Sequence, residues 1–399
     1  MRVLYVTNGF PFPLTSGYLR HYFFIRELSR VHRITLLSVV GPRFLPEHAA
    51  AMAPYTESVL TFGRGGGGSL WRRGAGRVRA VLRTPAEIRQ MRAAVARLLG
   101  ERRYDAVVLS GKATYRAIEG LPCPAVVADM CDATSMRLQG QGRYASLPRR
   151  VLLEMKRRQV RLIEQKILAG ASHVLFASVR DRMAMIGHPS PGATVVPNGI
   201  DLGFWQRSPA PLGAGTLVFT GAMNYAPNVD AAVHLIRDIL PLVRRAVPHI
   251  RLLIVGHSPA ATLLAAAEQH PGVRVTGFVE DVRPYLEQAS VFVAPIRFGA
   301  GIQNKLLEAL SMEVPAVAST LAADGLRTED GERPPVHTAD TAPEFAQAIL
   351  AQLAIGQDDP TPHAAGRQYV KRHFSWDRAG LRLHEILLGV ARTGGVRVA

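Results

Sequence analysis

The chain has 399 residues, 48% apolar and 20% charged; this globular composition excludes wholesale disorder and, at about 150 residues per domain, predicts two to three domains. Two cysteines, Cys123 and Cys131, are too few for a disulfide scaffold or a four-cysteine zinc site, so reduced thiols in a cytosolic chain are expected. The formal charge of +17 points to acidic partners, but the basic stretches lack interleaved aromatics and no zinc-finger, basic-zipper or RNA-platform signature occurs, which argues against nucleic acid.

Residues 3–6 read as a short buried strand. This apolar run of four falls short of the roughly 7–15 of a signal peptide or the roughly 20 of a membrane span, so a cytoplasmic chain without a span is expected. The loop Asn8-Gly-Phe-Pro-Phe-Pro-Leu-Thr-Ser-Gly17, a helix over 19–30 and a strand over 34–40 complete a β-loop-α-β unit, the building block of a parallel sheet with right-handed crossovers. Residues 64–103 hold eleven arginines and two acids. Within them, Ile88, Met91, Val95 and Leu98 mark an amphipathic helix whose other face is arginine, expected to touch anionic lipid near a lipid-linked acceptor. Further strands are predicted at 106–109, 125–128 and 174–177. The spacing also predicts a long helix over 149–168 and assigns Leu152, Met155, Leu162 and Ile163 to its core face.

The pattern restarts after the linker Pro209-Ala-Pro-Leu-Gly-Ala-Gly215, with strands predicted at 217–220, 251–255, 273–276, 291–294 and 316–319 and helices between. Two similar α/β domains are therefore expected, 1–205 and 206–375, with a terminal segment 376–399. Each has the alternation of a doubly wound sheet, so ligands belong beyond the strands' C-terminal ends, in the cleft between the two halves. No Gly-x-Gly-x-x-Gly follows the first strand, which makes a nicotinamide site unlikely on motif grounds. Ser110-Gly-Lys-Ala-Thr114 is only half a P-loop, and no His-Glu-x-x-His or Asp-x-Asp occurs.

The informative stretch is Arg297-Phe-Gly-Ala-Gly-Ile-Gln-Asn-Lys-Leu-Leu-Glu-Ala-Leu310. Gly299 and Gly301 allow close backbone approach. A helix beginning at Gln303 and Asn304 offers free N–H groups and a partial positive charge to an anion such as a diphosphate. Lys305 adds a full charge. Glu308 lies three residues on, on the same face, and its carboxylate suits a vicinal diol such as a ribose. Taken alone, Lys305 and Glu308 are also an ordinary i,i+3 surface pair. Asp129 and Asp132 sit at the end of the strand that begins at 125, where carboxylates serve either substrate or helix capping. His21, His188 and His257 are read as structural or solvated.

Together with Pro197-Asn-Gly-Ile-Asp201, Phe219-Thr-Gly-Ala-Met-Asn-Tyr-Ala-Pro-Asn228, Ile254-Val-Gly-His257, Val275-Thr-Gly-Phe-Val-Glu-Asp-Val-Arg-Pro284 and Phe374-Ser-Trp376, this stretch resembles the GT-B glycosyltransferases of family 4, of the bacterial group 1 type, over nearly the whole chain. The resemblance implies two facing Rossmann-like domains and a retaining, metal-independent sugar transfer. The donor is a nucleoside-diphosphate sugar such as a UDP-sugar, used as substrate with no cofactor, and the acceptor is a hydroxyl of an envelope glycan precursor or small natural product. It further implies that backbone groups at Phe278 and Val279 reach the base and that Glu308, the second glutamate of a Glu-x7-Glu signature, holds the ribose. Ser16 and Gly17 approach the diphosphate from the first domain, Gly221 opens the facing loop, Asp132 and Asp129 lie against the donor sugar, and the helix over 376–388 crosses back to the first domain. Two features depart from the pattern. The first glutamate of the signature is Ala300, and the Arg and Lys that many relatives carry after Gly221 are missing. The resemblance then leaves the diphosphate's charge to Lys305, Arg297 and helix dipoles. Two other classes stay open: another GT-B chemistry, such as a nucleotide-sugar epimerase or a glycan phosphorylase, and a non-catalytic sugar-nucleotide binding protein.

Overall fold

Strands buried on both faces of a parallel sheet need apolar side chains without alternation, and the chain supplies such runs twice. The computed structural model describes residues 1–14, 18–42, 44–63, 84–208, 212–359 and 361–393. Ser16, Gly17, residues 64–83 of the arginine-rich stretch and residues 209–211 of the linker lie outside them. The first sheet has the order β3 (Ser58–Gly63), β2 (Arg33–Val40), β1 (Arg2–Thr7), β4 (Ala106–Ser110), β5 (Ala125–Cys131), β6 (His173–Phe176) and β7 (Ala193–Val195), all parallel. The second has the order β10 (Val273–Val275), β9 (Arg251–Val255), β8 (Thr216–Thr220), β11 (Val291–Ala294), β12 (Ala316–Ala318) and β13 (His337–Thr338), again all parallel. In both sheets the order reverses beside the first strand, which opens a crevice at the strands' C-terminal ends.

The central strands coincide with the predicted runs, whereas β3, β7 and β13 have no counterpart among the predictions. They are peripheral, and β7 and β13 have only three and two residues, too short for a periodic signal. The helices that shape the site are α1 (Leu19–Ser29), α2 (Ala86–Glu101), α3 (Thr134–Arg143), α4 (Leu147–Gly170), α5 (Val179–Ile186), α6 (Ala226–His234), α7 (Asn304–Ser311) and α8 (Trp376–Thr393). Helix α2 buries Ile88, Met91, Val95 and Leu98, as its spacing predicts. Helix α4 corrects its prediction. It buries Leu153, Glu164 and Ile167, while Leu152, Met155 and Leu162 face solvent together with Leu147 and Val151. Both sides of this helix carry apolar residues, so periodicity could not choose between them.

Helix α8 leaves the second domain and packs on α1. Trp376 stacks on Phe23 with ring centroids 4.5 Å apart. A Cβ at Gly380 would lie 2.4 Å from Cβ of Glu27, so only glycine permits this approach.

Candidate active site in the interdomain cleft

Glycines let the loops at the C-terminal ends of β8 and β9 touch. Gly221 (φ +148°) and Gly256 (φ +154°) occupy backbone conformations that side chains disfavour. A Cβ on Gly256 would lie 1.7 Å from the Gly221 carbonyl oxygen, and one on Gly221 would lie 2.6 Å from Asn228 Nδ2 and 3.3 Å from Lys305 Cε. The turn at Gly221 thus lies directly against the first turn of α7. Lys305 is buried there. Its ammonium donates to Asn228 Oδ1 and lies 5.0 Å from the centroid of the Phe219 ring. Glu308, one turn on, makes no side-chain hydrogen bond among the described residues. Burial, against the opposing pull of Lys305, raises its carboxyl to about 7; burial, against the pull of Glu308, lowers Lys305 to about 8.

On the facing wall, β5 ends with an irregularity between Asp129 and Cys131, where Cys131 takes φ 57°. This kink sends the two aspartates to different places. Asp129 points into the first domain: Arg20 donates to it from Nε at 2.7 Å and from a terminal nitrogen at 3.2 Å, and both side chains are almost wholly enclosed. Its expected place against the donor sugar is thereby corrected, because an enclosed, paired carboxylate has no free face. Asp132 reaches the cleft. Lys112 (3.0 Å) and Thr134 (2.6 Å) both donate to its Oδ1, and Oδ2 has no hydrogen-bond partner among the described residues. Burial would raise its carboxyl, but Lys112 and the Thr134 hydroxyl hold it below the usual carboxylate range. The half P-loop therefore contributes Lys112 as a prop for Asp132, a role its motif did not reveal.

The glycine loop before α7 joins the two walls. A Cβ on Gly301 would lie 3.5 Å from that of Asp132. The Gly301 N–H donates to Asp181 Oδ2 at 2.5 Å, and Arg180 donates to the Gly301 and Leu321 carbonyls. Gly301 is thus held by α5 of the first domain, with its N–H engaged there. Asn304 likewise accepts from Asn198 Nδ2 (2.9 Å), and Asn198 Oδ1 accepts from Arg20 (3.1 Å). A continuous polar chain runs from Asp129 through Arg20 and Asn198 to the start of α7. Arg297 is engaged with Asp230, from Nε at 2.9 Å and from a terminal nitrogen at 2.6 Å, and lies over the Tyr144 ring. The expected use of Arg297 against the diphosphate is corrected accordingly: its charge is matched inside the protein. Gly299 sits free of crowding on the same loop, and Gln303 precedes the first turn of α7 without capping it. Phe278 and Val279 follow β10, with Phe278 71% exposed at the loop's tip. His21 is enclosed between Tyr5 (3.2 Å) and Ser110 (2.7 Å), and burial lowers it to about 4, so it is a neutral structural histidine.

One cleft residue was missed altogether. Arg137, on α3, lies with its guanidinium carbon 5.6 Å from the centroid of the Tyr225 ring across the cleft. It has no motif around it and no fixed distance from the residues it meets, so nothing in the sequence could have singled it out.

Residues 214–354 match the family model described as "Glycosyl transferases group 1". The chain is similar to the phosphatidyl-myo-inositol mannosyltransferase of Mycobacterium tuberculosis, 30% identical over 220 residues, which are 52% of this chain and 57% of that protein. A second relative is the GDP-mannose-dependent alpha-(1-6)-phosphatidylinositol monomannoside mannosyltransferase of the same organism, 26% identical over 252 residues, 57% of this chain and 65% of that protein. Each match thus spans less than two thirds of the relative. In fold, the chain is similar to sucrose-phosphate synthase from Thermosynechococcus elongatus (TM-score 0.74, 14% identity, 98% of this chain and 100% of that one). It is also similar to Anabaena HepE in complex with UDP and glucose (TM-score 0.64, 13% identity, 98% and 100%). The architecture is GT-B: two facing parallel-sheet α/β domains.

Proposed function

We propose that the chain transfers a sugar from a nucleoside-diphosphate sugar to an acceptor hydroxyl with retention of anomeric configuration. The observation that carries this reading is the placement of Lys305 and Glu308, cation and unpaired carboxylate one helical turn apart, at the start of α7 where the two domains meet. Glu308 takes the ribose diol, Lys305 and the α7 N-terminus face the diphosphate, and the backbone at Phe278 and Val279 takes the base. Asp132, with its free Oδ2, faces the sugar. The acceptor oxygen bonds to the anomeric carbon as the carbon–phosphate oxygen bond breaks on the same face, and the acceptor proton passes to the departing phosphate oxygen. The protein's part is to orient the partners and stabilise the leaving diphosphate. On this reading the substrate needs neither cofactor nor metal. The name of the second relative and a HepE complex with UDP-glucose make GDP-mannose and UDP-glucose the first donors to try.

A thermal-shift screen of nucleotide sugars tests the reading. The preferred donor at a hundred times its dissociation constant is expected to stabilise the protein by about 2.7 kcal/mol. Stabilisation by none of them overturns it. Release of free nucleotide and sugar from that donor without any acceptor favours an epimerase, and tight binding without turnover favours a silent binding protein.

The same pair sets a pH dependence. Ribose binding needs the Glu308 carboxylate, and diphosphate binding needs the Lys305 ammonium. Affinity for a nucleoside diphosphate is therefore expected to rise as pH climbs through about 7 and to fall as it climbs through about 8. Calorimetric titration across this range measures it, and a flat profile means that neither group meets the ligand.

Among the described residues no helix is long and apolar enough to cross a membrane. Contact with an anionic membrane from the cytoplasmic side belongs to the proposal, through α4. Of the arginines on and after α2, Arg92 and Arg97 are engaged with other groups of the chain and Arg102 lies near Glu57. Helix α4, by contrast, exposes Leu147, Val151, Leu152, Met155 and Leu162 beside Arg149, Arg150, Lys156 and Arg161. Apolar insertion and charge complementarity both fit an anionic bilayer, to which each basic residue adds about 1 kcal/mol. Sedimentation with phosphatidylglycerol vesicles is expected to carry the protein down at low salt, and Leu152→Glu with Met155→Glu to abolish it. A protein that stays in the supernatant, or self-associates through this face instead, removes the membrane from the proposal.

A further inference from the structure

The second domain lacks the cations that would meet a diphosphate at its first loop. From Gly221 to Asp230 there is no Lys or Arg, and Arg297 is held by Asp230. Lys305 remains, but a diphosphate carries more than one negative charge. The opposite wall supplies a guanidinium. We infer that Arg137, from the first domain, is the second cation of the diphosphate site, so that the charge is completed only across the cleft. This deepens the proposed nucleotide-sugar function and rests on it.

Three observations carry the inference. First, Arg137 is unpaired: its side chain makes no hydrogen bond and no ion pair within 4.0 Å among the described residues, and its Nε is shut off from solvent without a partner. A guanidinium has five donors, and an enclosed one without an acceptor is costly unless a ligand supplies one. Second, the acids around it are already engaged. Asp132 is bound by Lys112 and Thr134 through Oδ1, and the Arg137 charge reaches its carboxyl without an ion pair within 4.0 Å; Asp181 is bound by Arg180 and the Gly301 N–H. The other titratable groups near Tyr225 on that side are Cys131 and Tyr225 itself; burial pushes that thiol up to about 12 and raises the phenol, so both are neutral. Third, Arg137 is aimed at the right element. It lies over Tyr225, the residue that precedes α6 and ends the loop opened by Gly221. That loop abuts Lys305 through Gly221. An anion between the Gly221 turn and α7 has Lys305 on one side and Arg137 on the other.

The arrangement differs from a site in which one domain holds the diphosphate alone. Here the ligand's negative charge bridges the two domains, and the cation sits beside Asp132, the residue facing the sugar.

Calorimetric titrations of the wild-type protein with UDP and GDP, and with uridine and guanosine, choose the nucleotide. For the preferred one, Arg137→Gln is expected to weaken diphosphate binding by about 10–100-fold while leaving the bare nucleoside within about twofold, and Arg137→Lys to restore most of the loss. Glu308→Gln serves as the contrast, since it should weaken nucleoside and diphosphate together. Intact nucleoside binding by Arg137→Gln also shows that the variant is folded. An unchanged diphosphate affinity in Arg137→Gln, or an equal shift for nucleoside and diphosphate, overturns the inference and leaves the nucleotide reading standing. A wild-type protein that binds none of the four ligands overturns both.

Discussion

Replacing Asp129 by alanine is expected to destabilise the first domain by about 3–5 kcal/mol, the usual loss when one partner of a buried ion pair is removed. The Asp129 side chain is fully enclosed and that of Arg20 is 4% exposed, so the arginine left behind has no water to turn to. It cannot swing away without breaking its bonds to the Val196 carbonyl (2.7 Å) and Asn198 (3.1 Å) and leaving the Phe24 ring, 4.4 Å from its guanidinium carbon. Asn198 in turn holds Asn304, so the loss is expected to spread to the start of α7 and to weaken donor binding indirectly. Urea unfolding of variant and wild type, followed by near-ultraviolet circular dichroism, measures the effect. A change below about 1 kcal/mol, the range of ordinary surface substitutions, would mean that Asp129 is not the anchor its geometry makes it.

Glu308→Gln is the second large effect. The substitution keeps the shape of the side chain and removes its charge, so it isolates the charge-assisted hydrogen bonds to the ribose. Donor affinity is expected to fall by about 1–3 kcal/mol, roughly 5- to 150-fold. Stability is expected to hold or improve, because burial already pushes the Glu308 carboxyl up to about 7 and the neutral amide avoids that desolvation. The acid limb of the pH profile disappears with the carboxylate, while the alkaline limb set by Lys305 stays. Unchanged donor affinity in a folded variant would release Glu308 from the ribose.

The first prediction turns on a residue that the sequence could find but not tell apart from its neighbour. Asp129 and Asp132 stand three positions apart at one strand end, and a carboxylate there has several uses. The kink at Cys131 decides between them: it turns Asp129 inward onto Arg20, 109 residues away in the chain, and Asp132 outward onto Lys112. Arg297 reads as free along the sequence because its partner, Asp230, lies on helix α6, 67 residues earlier. Leu152, Met155 and Leu162 looked like core because a helix with apolar residues on two sides has no single periodic solution.

What the amino-acid sequence determined by itself is local or repetitive. Apolar runs of strand length separated by helical spacing specify two parallel sheets, since only covered strands are apolar throughout. The order of glycine, lysine and glutamate at 299–308 specifies a helix start with cation and carboxylate on one face, since the helical repeat alone brings positions three apart together. What only the tertiary structure decided is which charges are left over. Arg20 and Arg297 are matched by carboxylates in distant parts of the chain, and Arg137 is not. Ion pairing depends on distances of a few ångströms between side chains brought together by the whole fold, and no spacing along the chain encodes them.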